Sequence, residues 1–161
     1  MRGHREAASQ NRCTMRSFRI LIAVLAFAGL GIHAANAEPK SHRLALQVSD
    51  SAVEKMNAVL NVAGNVSRYY SERGEEVEIE IVAFNEGLHM LREDISPVKE
   101  RIKSFATSMP NVRFAACKNT MDSMERKEGR SIAILPNASM VIAGVTRLIE
   151  LSEDGWTIVR P

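Results

Sequence analysis

Cysteine and aromatic residues are scarce in this 161-residue chain: two Cys, one Trp, two Tyr, and aromatics at 5%. Two cysteines cannot build a multi-bridge disulfide scaffold, and with no close His pair they do not complete the four ligands of a structural zinc site. No metal and no cofactor is therefore expected. Among the nine glycines there is no phosphate-cradling loop, no dinucleotide fingerprint and no serine-hydrolase elbow. A basic surplus is also missing. The net charge is +2, but five of the 21 Lys and Arg and one of the 19 acids fall in residues 1–37, which leaves 16 bases against 18 acids, a net of −2. That balance lacks the field that non-specific nucleic-acid binding requires. With 45% hydrophobic residues and little net charge, the chain is also not of the disordered class.

Long apolar runs are limited to one. Residues 20–32 are continuously apolar over 13 positions, short of the roughly 20 that span a bilayer. Arginines precede the run, and Ala35-Asn36-Ala37 follows it as a small-x-small cleavage pattern. The segment reads as a cleavable secretory signal over residues 1–37; an uncleaved N-terminal anchor is the alternative. Met15 opens a complete signal of its own, so residues 1–14 read as an upstream extension or a misplaced start. Cleavage after Ala37 leaves 124 residues, 38–161, enough for a single domain. The expected location is periplasmic, with no stable membrane anchor after processing. Cys13 departs with the signal, and Cys117 becomes the only thiol of the mature chain. In an oxidising compartment such a thiol is buried, paired between chains, or used.

In the mature chain, strand patterns alternate with helix patterns. Arg43–Ser49 reads as a strand. Ser51 and Glu54 form a capping-box pattern before apolar residues at Val53, Met56, Leu60, Ala63, Val66 and Tyr70, one face of a helix that stops at Arg73-Gly74. Gly64 weakens that helix and marks close packing. Val77, Ile79 and Ile81 alternate with Glu78 and Glu80, which with Glu75 and Glu76 read as a solvated strand face. Asn85-Glu86-Gly87 is a turn before a short helix from Leu88. Pro97 suits the first position of the next helix, striped by Val98, Ile102, Phe105 and Met109. Val112–Ala116 is a third strand, and a helix follows from Met121 to Lys127 with Asn119 or Thr120 as its cap. Ser131–Leu135 is either a strand or an apolar-lined loop. Met140–Ala143 is a fourth strand, Val145–Leu151 a helix, and Trp156–Val159 a last strand. The fold class is α/β: a three-layer sandwich around a mostly parallel sheet of about five strands.

In such sheets ligands bind beyond the carboxyl ends of the strands. The segments due there are Ser49-Asp50-Ser51, Asn85-Glu86-Gly87, Cys117-Lys118-Asn119-Thr120 and Ala143-Gly144. Cys117 sits between a strand and a helix start, where amide groups and the helix dipole favour a thiolate, and Lys118 could add to that effect. A thiolate there could attack sulfur or carbon electrophiles or carry sulfur as a persulfide. The plain alternative is a small buried hydrophobe at a strand end. Glu86 is a candidate acid or base beside the thiol, against an ordinary turn for Asn85-Glu86-Gly87. His42 and His89 read as solvated or locally bonded, and Trp156 as packing.

Three groups of residues, taken in order, are similar to the DsrE/DsrF-like sulfur-relay family, in its exported single-domain form. They are Leu46–Asp50 with Leu60–Asn65, then Phe84–Leu91, and finally Ala116–Met121 with Ala143–Leu151 and the ending Gly155–Pro161. The resemblance implies a three-layer fold with a mostly parallel five-stranded sheet, assembled as trimers or hexamers. It also implies a cysteine, here Cys117, that accepts sulfur as a persulfide from a donor protein and passes it to an acceptor. Lys118, Asn119, Thr120, Asn85, Glu86 and Gly87 would shape its loop. The two functions in view are a periplasmic sulfur carrier and a non-catalytic oligomeric binding or assembly module whose cysteine is inert.

Overall fold

The computed structural model describes residues 41–161. The signal segment and its cleavage site lie outside the described residues. Along the chain run β1 (Ser41–Val48), α1 (Val53–Ser71), β2 (Glu76–Ala83), a 3-10 helix (Asn85–Leu91), α2 (Lys99–Ser108), β3 (Val112–Cys117), α3 (Lys118–Glu128), β4 (Ala138–Val141), α4 (Gly144–Glu153) and β5 (Thr157–Val159). The five strands form one sheet in the order β4-β3-β2-β1-β5, with every pairing parallel.

That order dictates the layers. The crossovers from β1 to β2, β3 and β4 all step the same way, so right-handed connections put their helices on one face. The connection from β4 to β5 runs back to the far edge, and α4 lands on the opposite face. Side-chain alternation divides the interior accordingly. Leu46, Val48, Ile79, Ile81, Phe114 and Ala116 meet α1, α2, α3 and the 3-10 helix in a large core. Ala45, Val82, Ala115 and Cys117 point the other way, into a small core closed by Phe84, Leu148, Leu151 and Trp156.

Local details depart from the sequence expectations where tertiary partners compete. The capping box does not form. Ala52 is the cap of α1 without a side-chain bond, and Asp50 Oδ1 accepts from the Ala52 N–H at 3.2 Å. Pro97 lies one residue before the cap of α2, Val98, because Ser96 closes the entry by donating to the Met90 carbonyl. Ser131–Leu135 is not a sheet strand. It is an extended segment bridged antiparallel to Arg92 through Ile134. The fourth strand ends at Val141, and Trp156 precedes the last strand as a buried side chain. Gly64 does not mark the close packing expected of it: a Cβ there would meet Phe105 only at an ordinary 3.7 Å.

Arg92, only 1% exposed, ties the 3-10 helix to the end of α3. Its guanidinium donates to both Asp94 oxygens, at 3.0 and 2.8 Å, and to both Glu128 oxygens. Arg130 adds contacts to Asp94 at 2.6 Å and Glu128 at 2.8 Å. The hydrogen bonds from Arg92 hold the Asp94 carboxyl well below the usual carboxylate range and lower Glu128 as well. Carboxyls depressed in the folded state contribute stability above the unfolded pKa of about 4 and lose it as pH falls through the folded values. Arg92→Met should therefore lower the urea midpoint near neutrality, but only in part, because Asp94 and Glu128 keep about a third of their surface in water and Arg130 still faces both acids. Urea unfolding from about pH 5 down to pH 2 should show a steeper loss in the wild type than in the variant. Parallel acid profiles would contradict the assignment.

Candidate functional site

The carboxyl edge of the sheet gathers the ends of β1 to β4. At β3 and β4 the following helices part, α3 leaving over the large core and α4 over the small one. A divergence of this kind opens a crevice between adjacent strand ends, the usual ligand position in open parallel sheets. Cys117 is on the rim of that divergence. It is the last residue of β3, in register with Val141 of β4, and the cap residue of α3.

Its side chain points into the small core. Cys117 is 4% exposed and packs in the cluster that holds Val82, Phe84, Ala115 and Leu148, with Val141 alongside. Among the described residues, no side chain hydrogen-bonds its sulfur, and no group of three His, Cys, Asp or Glu is gathered as for a metal ion. The thiol thus has a helix N-terminus at its backbone and apolar walls at its sulfur.

The neighbouring candidates divide into two groups. Asn119 and Thr120 lie inside the first turn of α3, which begins at Lys118, three residues earlier than the sequence pattern suggested. Neither caps that helix, because Cys117 is its cap residue and both fall inside it. The Asn119 N–H donates to the Ile142 carbonyl at 3.2 Å, tying α3 to the end of β4. Thr120 Oγ1 accepts from the Asn85 N–H at 3.1 Å, tying it to the end of β2. Asn85 has a left-handed φ of 49°, which turns the chain from β2 into the 3-10 helix. Together these bonds bring three strand ends to Cys117. Lys118 and Glu86 belong to the second group. Lys118 Nζ is held by Asp122 at 2.8 Å on the exposed side of α3, and the exposed Glu86 carboxylate faces His89 at 3.5 Å. Neither makes a bond to the thiol. His42 is likewise locally bonded, to Glu75 at 2.6 Å.

Gly87 is a packing position. A Cβ there would lie 2.4 Å from the Val48 carbonyl oxygen, so only glycine lets the 3-10 helix sit against the end of β1.

The sequence pattern missed the cover above Cys117. Gly144 begins α4 directly over Phe84, where a Cβ would come within 2.8 Å of the Phe84 Cβ. One turn on, Arg147 reaches down to Glu80. Its Nε donates to Oε1 at 2.7 Å and its Nη2 to Oε2 at 2.9 Å, and hydrogen bonding to Glu80 is the main cause of its raised pKa. Glu80 is 5% exposed, which corrects its assignment to a solvated face. Glu78, on the same side of β2, does remain at the surface, paired with Arg113. The signal was available: a middle strand of a parallel sheet is covered on both faces, so an acid on it requires a cation.

These glycines make a paired test. Gly87→Ala should destabilise by at least about 2 kcal/mol through overpacking against backbone. Gly64→Ala meets only ordinary contacts and should stabilise by roughly 0.5–1 kcal/mol, the helix-propensity gain. Urea midpoints measure both, and equal effects would refute the geometry.

Comparison with known proteins agrees with this architecture. The family model described as DsrE/DsrF-like family matches residues 31–161. No curated protein matches significantly. Among solved structures, a protein of unknown function from Methanobacterium thermoautotrophicum, MTH1491, is similar, with a TM-score of 0.63 and 25% sequence identity over 74% of this chain and 99% of that one. An all-parallel five-stranded sheet in that neighbour's fold, together with a family match across the whole described region, shows that the chain belongs to the DsrE/DsrF-like family.

Proposed function

We propose that the protein is a periplasmic sulfur carrier in which Cys117 alternates between thiolate and persulfide. One observation carries the assignment to this residue: Cys117 ends β3 and caps α3 at the point where α3 and α4 diverge. Family membership supports sulfur relay as the class of activity. The export pattern of residues 1–37 supports the location.

In the proposed step the Cys117 thiolate attacks the terminal sulfur of a donor persulfide, R–S–SH. The thiolate electron pair makes the new Sγ–S bond as the donor S–S bond breaks. The donor leaves as R–S⁻, and Cys117 holds the sulfur as Cys117–S–SH. Transfer to an acceptor thiolate is the same exchange run onward. Asn119, Thr120 and Asn85 would hold the loop in register, and Lys118, Glu86 and Gly87 would act at its periphery. A homo-oligomer, a trimer or hexamer as in the family, completes the proposal. It is supported by Ile142, 80% exposed, beside exposed Val145 and Ile149 on the outer side of α4. Apolar side chains grouped in this way favour burial against another surface.

The burial of the sulfur favours a second function, a binding or assembly module with an inert thiol. Incubation of the protein with a low-molecular-weight persulfide, followed by mass analysis of the peptide carrying Cys117, separates the two. The carrier should gain one sulfur atom at Cys117, reversed by a thiol reductant, and Cys117→Ser should gain none at that peptide. An unmodified wild-type peptide after prolonged incubation would leave the module.

A further inference from the structure

The two faces of the sheet are covered very unequally. Three α-helices and the 3-10 helix close the large core, whereas α4 alone, with Trp156 just beyond it, closes the small one. Beneath α4 the sheet offers small side chains, Ala45, Ala115 and Cys117, beside Val82. The downward grip of the helix consists of Leu148, Leu151 and the bidentate Arg147–Glu80 pair. Its first residue, Gly144, rests on Phe84 through the missing Cβ. β5, which follows it, is a three-residue edge strand paired only with β1. Elements with small apolar footings and short edge pairing are the ones that open below the global unfolding free energy. Elsewhere, a cleft of about 460 Å³ at the amino end of the sheet between Tyr69, Tyr70 and Leu44 holds no buried polar side-chain atom lacking a partner.

We propose that α4 and β5 form a cover that opens as a unit while the large core stays folded, and that this opening admits a sulfur donor or acceptor to Cys117. The inference rests on the sulfur-carrier function for its purpose, but the opening itself is a property of the fold. The Arg147–Glu80 pair is its latch. When the cover lifts, Glu80 regains water, so the closed state alone depends on the guanidinium. Arg147 is a positioning residue here, acting through the place of α4.

Alkylation of Cys117 by iodoacetamide in the full chain, followed at the Cys117 peptide by mass so that Cys13 does not interfere, tests the cover. Wild-type labelling at low urea should depend weakly on denaturant, steepening only near global unfolding. Arg147→Met should speed labelling at zero urea at least tenfold. Ile102→Val, which trims the large core, should lower the global urea midpoint yet leave that rate unchanged, because it weakens closed and open states alike. Gly144→Ala should also speed labelling, and serves if Arg147→Met fails to fold. Amide exchange of α4 should show the same weak urea dependence. Wild-type labelling with the full denaturant slope of unfolding, or equal acceleration by Ile102→Val, would overturn the cover. An opening cover with no sulfur taken up at Cys117 would keep this inference and remove the carrier function instead. Sulfur uptake with labelling tied to global unfolding would do the reverse.

Discussion

A parallel sheet whose middle strand is β2 has no face that can be left to water, and most features of this domain follow from covering it twice. Three crossovers in one direction supply one cover in bulk. A single return crossover must supply the other, and it does so with the ten residues of α4. Because that helix is short, the groups beneath it are small, and a guanidinium reaches through to the one acid on β2 that is closed off. The same return crossover sends α3 and α4 apart at the ends of β3 and β4. Topology thereby puts Cys117 at the divergence and under the thinner cover at once.

Position and burial pull the chemistry of Cys117 in opposite directions. Its backbone caps α3 at the carboxyl edge of the sheet, while its sulfur lies in the small apolar core with Phe84, Val141 and Leu148. A cover that opens reconciles them. In the closed state the apolar wall would shield a persulfide from stray thiols and oxidants. In the proposed open state a partner would reach the sulfur at the carboxyl edge of the sheet. A fixed, solvent-open thiolate would have neither restraint.

Much of the fold was legible in the sequence because strand and helix periods alternate cleanly from Arg43 onward. Val77, Ile79 and Ile81 state a core face, and Arg73-Gly74 states a helix end. Boundaries failed where side chains had better offers from distant segments. Ser51 loses its capping role to a turn made by Asp50, and α3 begins at Lys118 with Cys117 as its cap, so Asn119 and Thr120 fall inside its first turn and the Thr120 hydroxyl meets the end of β2 instead. The convergence of the ends of β2 and β4 on the end of β3, where Cys117 stands, was legible from the alternation of strands and helices. The cover over Cys117 was not, since the contacts of Gly144 and Arg147 with Phe84 and Glu80 span about sixty residues of sequence. Glu80 looked solvated because alternation alone distinguishes two faces without saying that both are covered. Arg92 had only Asp94 beside it as a local sign, since its second acid lies 36 residues on, at the far end of α3.

The account turns on whether Cys117 carries sulfur in the living cell. Protein recovered from the exported fraction under conditions that trap persulfides with an alkylating agent should show a fraction of the Cys117 peptide bearing an additional sulfur, and that fraction should fall after thiol reduction. A Cys117 peptide recovered solely as the free thiol, even from cells supplied with excess sulfane sulfur, would contradict it.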